Sequence, residues 1–327
     1  SPDFNLSKSS ANVTKGGYLW WNNSNSKFVF CGSSDFNSYL PGYSLEYLVV
    51  AGGGGGGPGS GDGGGGAGGY RSSVIGESSG GATTAEDTIC IQDNTSWTVT
   101  VGSGGSVFTN GDDSTLTNGT CTITSDGGGA GGDWGPWNVG RAGCSGGSGG
   151  GGSSGWSSSP GGGAHTPGHG CPGAPGSTWS SFSDGDYNSG GGGAAGNTGC
   201  SATPHKSGNG GDGLQSSITG TPTYYAGGGG GGNYAEQSPG YTGCGGQGGG
   251  GTGVSGGAGI TSGQNNICSA GGVNTGGGGG AGCTGGSGIV IVRYCGSSAC
   301  ATGGQISTSG PHIVHVFTES GYFTPTL

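Results

Sequence analysis

The chain carries very little charge. Only 7% of its 327 residues are charged, and the seven basic ones (Lys8, Lys15, Lys27, Arg71, Arg141, Lys206 and Arg293) stand apart from one another. Binding a phosphate backbone needs clustered Lys and Arg, so this scatter, with a net charge of −10, argues against a nucleic-acid partner. Long apolar runs are also missing. LVVA at 48–51 and IVIV at 289–292 fall far short of the roughly 20 residues that span a bilayer as a helix, and no membrane insertion is expected. Methionine is absent and the sequence opens with Ser1, which reads as a processed or partial product, as after removal of a secretory signal. No C-x-x-C pair occurs, which leaves a zinc ribbon or a thioredoxin-like motif without support. No segment keeps apolar residues at i, i+3, i+4 and i+7, so negligible α-helix is expected.

What the chain has instead is glycine, 95 residues of it, against 28% hydrophobic residues. Glycine and proline together reach the level of low-complexity sequence. Ordinary disorder, however, comes with high charge, and collagen needs glycine at every third position; neither pattern is present. Eleven cysteines between Cys31 and Cys300 fit an oxidising compartment and an extracellular location. Most are expected in disulfides between inserts, with Cys295 and Cys300 a local pair across GSSA and one thiol left over by the odd count. Asn5, Asn12, Asn22, Asn94 and Asn118 head N-x-S/T sequons and are candidate N-glycosylation sites, although a chain this rich in Asn, Ser and Thr carries about that many by chance.

Glycine-rich blocks recur at 52–69, 127–132, 146–152, 161–163, 190–193, 227–232, 245–259 and 271–288. Between them lie nearly all the Trp, Tyr, Phe, His and Cys. Strands are expected where β-branched and aromatic residues cluster: 27–31, 46–51, 97–101, 120–124, 289–294 and 313–317. The stretch EYLVVAGGGGGG at 46–57 poses the central question, because glycine is the costliest residue to order. Polyproline II geometry, with three residues per turn and no internal hydrogen bonds, supplies an answer. Glycine rods in that form can lie close enough to satisfy one another's N–H and C=O groups, and any Cβ would hold them apart. The expected fold is therefore all-β with polyglycine II helices, a glycine-rich rod sandwich anchored by short β-strands. Its expected division is an N-terminal extension at 1–44, the rod domain at 45–294 and a C-terminal strand segment at 295–327.

LEYLVVAGGGGGG at 45–57, SWTVTVGSGG at 96–105, SGNGGDGLQSSITGTPTYYAGGGGGG at 207–232 and NTGGGGGAGCTGGSGIVIVRY at 274–294 resemble, in order, the glycine-rich domain of phage tail-fibre and virion proteins and of microbial surface proteins. The likeness covers about residues 45 to 294. It implies a sandwich of polyglycine II rods whose connecting loops touch a receptor, and hence a structural or adhesive role without catalysis. The eleven cysteines, the sequons and the Trp-rich start GYLWWNNSNSKFVF depart from the phage pattern and favour a secreted filament or surface protein.

Other motifs carry less. G-x-S-x-G matches at 143–147 and 146–150 are expected by accident in so much glycine, and the strand-turn-helix setting of a hydrolase elbow is absent. No acid, base and nucleophile converge, so no enzyme, cofactor or metal is expected. His165, His169 and Cys171 in AHTPGHGCPG could ligate a metal, but a loop with Cys171 in a disulfide is the simpler reading. NGDDSTL at 110–116 and GNGGDGL at 208–214 faintly resemble calcium-binding turns, though isolated and imperfect. Trp134, Trp137 and Trp179 sit on expected loops, where an aromatic ring packs a loop or stacks on a sugar.

Two functional classes follow: a secreted subunit polymerising into an extracellular filament, and a receptor- or glycan-binding adhesin of the tail-fibre type. The expected partners are identical subunits or surface glycans. The chain ends favour the filament. FVFCGSSDF at 28–36 and VHVFTESGYF at 314–323 both hold two Phe six residues apart, Phe30 to Phe36 and Phe317 to Phe323, with Ser33 matching Ser320. Either a longer array stops after one unit, or residues 312–324, with Ile313, Val314, Val316, Phe317 and Phe323, donate a strand to the next subunit head to tail.

Overall fold

A computed structural model describes residues 43–91, 94–135, 139–156, 161–178, 187–203, 205–234, 241–256, 267–296 and 298–326, and the backbone of 17–22 and 27–32. Among them the architecture is all-β, with helical geometry confined to one short 3-10 turn, Gly80–Ala82. Two antiparallel sheets form a sandwich. The first runs in the order Gln305–Ser309, His312–Phe317, Ile289–Cys295, Tyr43–Val50, Tyr70–Ser72, with Ile89–Ile91 pairing to the start of Tyr43–Val50. The second runs Thr122–Ser125, Ser114–Thr117, Trp97–Thr100, Gly321–Pro325, Ala301–Thr302.

Side chains alternate across a strand, and both faces of the first sheet are covered. Leu45, Tyr47, Val49, Val290 and Val292 meet Trp97, Val99, Leu116 and Phe323 of the second sheet. Leu48, Val50, Ile289 and Ile291, on the opposite face, pack on Ala67, Tyr70, Val74, Ile218 and Ala226. Burial on both faces is why these strands read as continuous apolar runs rather than alternating ones.

Beyond Val50 the chain passes directly into Gly52–Gly57, and the hydrogen bonding changes from two neighbours to three. Gly52 and Gly55 donate to Asp112 and Thr109, Gly53 and Gly56 to Gly286 and Cys283, and Gly54 and Gly57 to Gly66 and Gly63, all at 2.8–3.0 Å. Each residue turns to a new neighbour and every third returns to the same one. That is the repeat a helix of three residues per turn requires.

Residues 63–69 lie at the centre of this array. Gly63, Gly66 and Gly69 donate to Gly132, Gly129 and Asp126; Gly64 and Ala67 to Gly190 and Gly193; Gly65 and Gly68 to Gly279 and Gly276. Its carbonyls accept from Gly54 and Gly57, from Ser148 and Gly151, and from Gly229. The six neighbours also bond to one another in sequence. Gly128 and Gly131 donate to Gly52 and Gly55, Gly129 and Gly132 to Ser148 and Gly151, and Gly190 and Gly193 to Gly152 and Gly149. Gly192 donates to Gly229, Gly278 and Ala281 to Gly227 and Gly230, and Gly279 and Gly282 to Gly54 and Gly57. Six rods thus close a ring around a seventh.

The missing side chains are a steric requirement. A Cβ on Gly65 would lie 2.1 Å from the Gly54 carbonyl oxygen, and one on Gly229 2.0 Å from that of Gly279. Those oxygens are backbone and cannot swing aside. A rod at the surface is constrained on its inner side alone, and its sequence shows it. Gly243 and Gly246 are buried while Tyr241, Cys244 and Gln247 are exposed, so G-x-x-G with large residues between marks an outer rod, and glycine broken only by a buried Ala or Ser, as at Ala67, Ala130 and Ser148, an inner one. The G-x-S-x-G matches fall where outer rod 141–146 meets inner rod 147–152.

Where no rod supplies acceptors, side chains do. Asn110 Oδ1 accepts from Ala130 N (2.9 Å) and Asp113 Oδ1 from Gly127 N (2.8 Å). Asn209 Oδ1 accepts from Cys244 N (3.0 Å) and Asp212 Oδ1 from Gln247 N (2.8 Å). Residues three apart on a threefold rod face the same way, so each Asn-x-x-Asp pair offers two acceptors to one neighbour. The turns that faintly resembled calcium motifs are these ladders.

Three expectations need correction. Ile313, Val314, Val316 and Phe317 lie between Ile289–Cys295 and Gln305–Ser309 of their own chain, and Phe323 lies in a strand beside Trp97–Thr100. Phe317 is 3% exposed and Phe323 fully buried, so the C-terminal segment closes its own sandwich and is not a strand free for donation. The segment 295–327 is part of the same core rather than a separate unit. Cys295 and Cys300 are free thiols. Tyr294 and Cys300 pack on the core side of the sheet, and Cys295, the next residue along the strand, points to the opposite side. Cys121, Cys144, Cys171, Cys200 and Cys244 are also free, and Cys268–Cys283 is a disulfide, as is the bond made by Cys90.

Gly229→Val is expected to destabilise the protein by about 3 kcal/mol or more, because the valine meets backbone on a buried side. Gly161→Val, where a Cβ meets nothing within 4 Å, should stay within about 0.5 kcal/mol of wild type. Urea midpoints measure both; equal midpoints would mean that the inner rods have room to spare.

Candidate functional site

The rods run up and down, so their connections fall at two ends. Tyr43–Val50 runs towards the array and Gly321–Pro325 away from it, which puts Tyr43 and Thr326 at the far end of the sandwich. At the opposite tip the chain turns at 58–62, and the described rod ends at Asp133, Arg141, Trp156, Gly161, Thr178, Tyr187, Thr203, Lys206, Tyr234, Tyr241, Gly256 and Ile267 lie on the same side.

Asp62 ties the described part of this tip together. Gly61 adopts φ +85°, a left-handed turn position suited to glycine, and brings Asp62 back over the rod ends. The carboxylate accepts from Gly59 N and Trp134 N, each at 2.7 Å. Its carbonyl accepts from Gly232 N (2.9 Å) and Ser189 Oγ (2.5 Å). One residue thereby fixes three other rod ends. Burial is the main cause that pushes its carboxyl up to about 6, against the two backbone N–H bonds, with Asp133 adding to the rise.

Around Asp62 stands a cluster of rings. Trp134 packs on Tyr187 at 4.6 Å and on Tyr234 at 6.2 Å, and Tyr187 meets Tyr234 edge-on at 5.9 Å. Trp156 Nε1 donates to Tyr187 Oη at 2.8 Å while half of Trp156 stays exposed, and Tyr241 is 65% exposed. Beneath the rings Asn233 Nδ2 donates to Asn188 Oδ1 at 2.6 Å. Trp134 Nε1 and Asn233 Oδ1 are buried without a hydrogen-bond partner, leaving one donor and one acceptor unused. Arg141 and Asp133 pair at 3.3 Å on the rim.

Of the expected loop aromatics, Trp134 is a packing residue at the heart of this cluster; Trp137 and Trp179 lie outside the described residues. Trp156 and Tyr241 were not singled out from the sequence. The available signal was position, each standing where a G-x-x-G or glycine rod meets a connection. Among the candidate glycosylation sites, Asn94 is exposed, and Asn118 Oδ1 accepts from Thr120 N (3.0 Å) and Cys121 N (2.7 Å) in a hairpin turn. Asn22 ends a strand, and Asn5 and Asn12 lie outside the described residues. His169 sits 3.5 Å from Asp126, its ring held below its ordinary pKa mainly by burial. Cys171, expected in a disulfide, is a half-buried free thiol, and among the described residues no three metal ligands converge. No helix among the described residues is long and apolar enough to cross a membrane.

Asp62 yields a pH prediction. Its folded pKa lies above the ordinary carboxylate value, so between about pH 4 and pH 6 the folded state holds the extra proton. Stability from this residue is greatest below pH 4 and falls as pH rises to about 6, by roughly 3 kcal/mol at about 1.4 per unit. Asp62→Asn should flatten that decline in a series of urea midpoints from pH 3.5 to 7. An unchanged slope would show that Asp62 titrates as a solvated carboxylate.

No curated protein and no solved structure matches the chain. A family model described as a glycine-rich domain matches residues 33–295, the span that holds the rods and the strands bounding them. The chain belongs to the glycine-rich domain family.

Proposed function

We propose that this protein is an extracellular, non-enzymatic binding module whose rod array holds a cluster of connections at a fixed distance from its attachment end, for contact with surface glycans. The observation that carries the reading is the polarity of the molecule. Tyr43 and Thr326 lie at the sandwich end, and Trp134, Trp156, Tyr187, Tyr234 and Tyr241 lie at the other. An adhesin needs that division, whereas a filament built on a donated C-terminal strand would need Phe317 and Phe323 to leave their own core. Trp156 and Tyr241 are the exposed rings at rod ends on that side, half and 65% exposed, and an exposed apolar ring face is what stacks on one face of a sugar. The Cys268–Cys283 disulfide is compatible with secretion.

Binding of the purified chain to an immobilised glycan panel tests the reading. Trp156→Ala with Tyr241→Ala should weaken the selected interaction at least about 10-fold, the scale of an aromatic contact at a binding centre. The melting temperature should hold, since both rings stand at the surface. A double variant that binds as wild type, or a chain that binds no glycan on the panel, would overturn it.

A further inference from the structure

Five rods of the array carry a cysteine directly after a glycine: Gly143-Cys144, Gly170-Cys171, Gly199-Cys200, Gly243-Cys244 and Gly282-Cys283. A Cβ on Gly143, Gly199 or Gly243 would lie 1.9–2.1 Å from a backbone oxygen of an adjacent rod, so these three glycines face inward. The cysteine that follows each of them is exposed. Cys283 is oxidised, paired with Cys268, whereas Cys144, Cys200 and Cys244 are free.

Cys200 and Cys244 stand at one height, with the rod at 206–212 between them. On one side an antiparallel rod bonds to it at three levels, Thr203 N to Lys206 O (2.8 Å), Cys200 N to Asn209 O (2.8 Å) and Asn197 N to Asp212 O (3.0 Å). On the other side Lys206 bridges to Tyr241, Asn209 Oδ1 accepts from Cys244 N, and Asp212 Oδ1 accepts from Gln247 N. The two thiols therefore flank Asn209, two rod spacings apart. Taken from hydrogen-bonded strands, that is roughly 8–10 Å, farther than a disulfide reaches between Cα atoms. Neither thiol can pair with the other in its own copy.

The rod between them is self-complementary. Residues three apart on it face the same way, so Lys206, Asn209 and Asp212 form one row, with Lys206 and Asp212 exposed at its ends. Neither of them forms an ion pair among the described residues. A two-fold axis crossing the rods at the height of Asn209 sets Lys206 of each copy against Asp212 of the other. The same axis runs past both cysteines and sets each opposite its own counterpart.

We propose that this face joins two copies, antiparallel, through a Cys200–Cys200 and a Cys244–Cys244 disulfide. The contact is isologous and closes on itself, so it gives a dimer. The oxidant is a low-molecular-weight disulfide such as oxidised glutathione. The Cys200 thiolate of one copy attacks one of its sulfurs and expels one small thiolate, leaving a mixed disulfide. The Cys200 thiolate of the second copy attacks the protein sulfur of that bond and expels the other. Two protein thiols thus lose two electrons and two protons, and the small disulfide becomes two thiols. Cys244 reacts in the same way. The step needs an oxidising surrounding, as Cys268–Cys283 does, and does not depend on what the tip binds.

The test uses the full chain with Cys144→Ser and Cys295→Ser, which remove the other exposed thiols. In a glutathione redox buffer this protein should run as a covalent dimer on a non-reducing gel and as a monomer after reduction. Cys200→Ser and Cys244→Ser should each still cross-link through the thiol that remains, and the two changes together should abolish the dimer. Mixing reads the orientation: tagged Cys200→Ser with untagged Cys244→Ser should give the two covalent homodimers alone. Lys206→Glu sets like charges against each other and should slow cross-linking about 10-fold at low salt. The proposal is overturned if the starting protein stays monomeric in the redox buffer, or if it still dimerises without both cysteines. It is equally overturned by a covalent heterodimer in the mixture, which requires a parallel pair, or by an unchanged rate in Lys206→Glu.

Discussion

Everything in this molecule depends on backbone hydrogen bonds made in three directions at once. A strand in a sheet bonds to neighbours in one plane and leaves room above and below for side chains. The rod at 63–69 bonds to six neighbours, and a Cβ on Gly63, Gly64, Gly65, Gly66 or Gly68 would lie within 2.3 Å of a backbone oxygen. Ordering glycine costs roughly 0.5–1 kcal/mol more than ordering alanine. A net backbone hydrogen bond contributes about 0.5–1.5 kcal/mol, and a buried group left without one costs about 1–3 kcal/mol. The balance is close, so the rods hold when nearly every group is paired. The Asn110/Asp113 and Asn209/Asp212 ladders matter for that reason: they supply acceptors where the array runs out of rods.

The sandwich and the array are mutually dependent. Tyr43–Val50 and Ile289–Cys295 lie side by side in register, Val50 opposite Ile289, and so fix where the rods that adjoin them begin. In return Ala67 and Ala226 in the inner rods, with Ala194 and Ala195 at the end of another, cover the outer face of that sheet. These alanines mark the places where a rod faces apolar side chains instead of another rod. His315, fully buried, closes the C-terminal part of the same unit. Its Nδ1 donates to the Gly303 carbonyl at 2.8 Å, its Nε2 meets Tyr294 Oη at 3.2 Å, and burial holds the ring below its ordinary pKa.

Much of this was legible in the residues. EYLVVA, WTVTV and IVIVRY are apolar enough to announce strands, and the glycine blocks announce close backbone approach. Gln305–Ser309 and Gly321–Pro325 were missed because QISTS is polar and GYFTP holds glycine and proline, yet pairing with apolar neighbours makes both into strands. The destination of the C-terminal Phe pair was misread because a donated strand and a self-inserted one have the same sequence; only the core that receives Phe317 and Phe323 distinguishes them. Cys295 and Cys300 look like a pair by spacing, but alternation along the strand separates them. At the tip, Trp134 was visible and its packing role was not, since Asp62, Tyr187 and Tyr234 come from three distant stretches of chain.

Amide hydrogen exchange of protein labelled with ¹⁵N-glycine tests the central claim most directly. If rods 63–69 and 227–232 are hydrogen-bonded on all sides, their glycine amides should exchange as slowly as the amides of Ile289–Cys295, opening only with global unfolding. Exchange of those glycines at the rate of an unstructured chain, with the sandwich still protected, would contradict the account and make the blocks solvated loops.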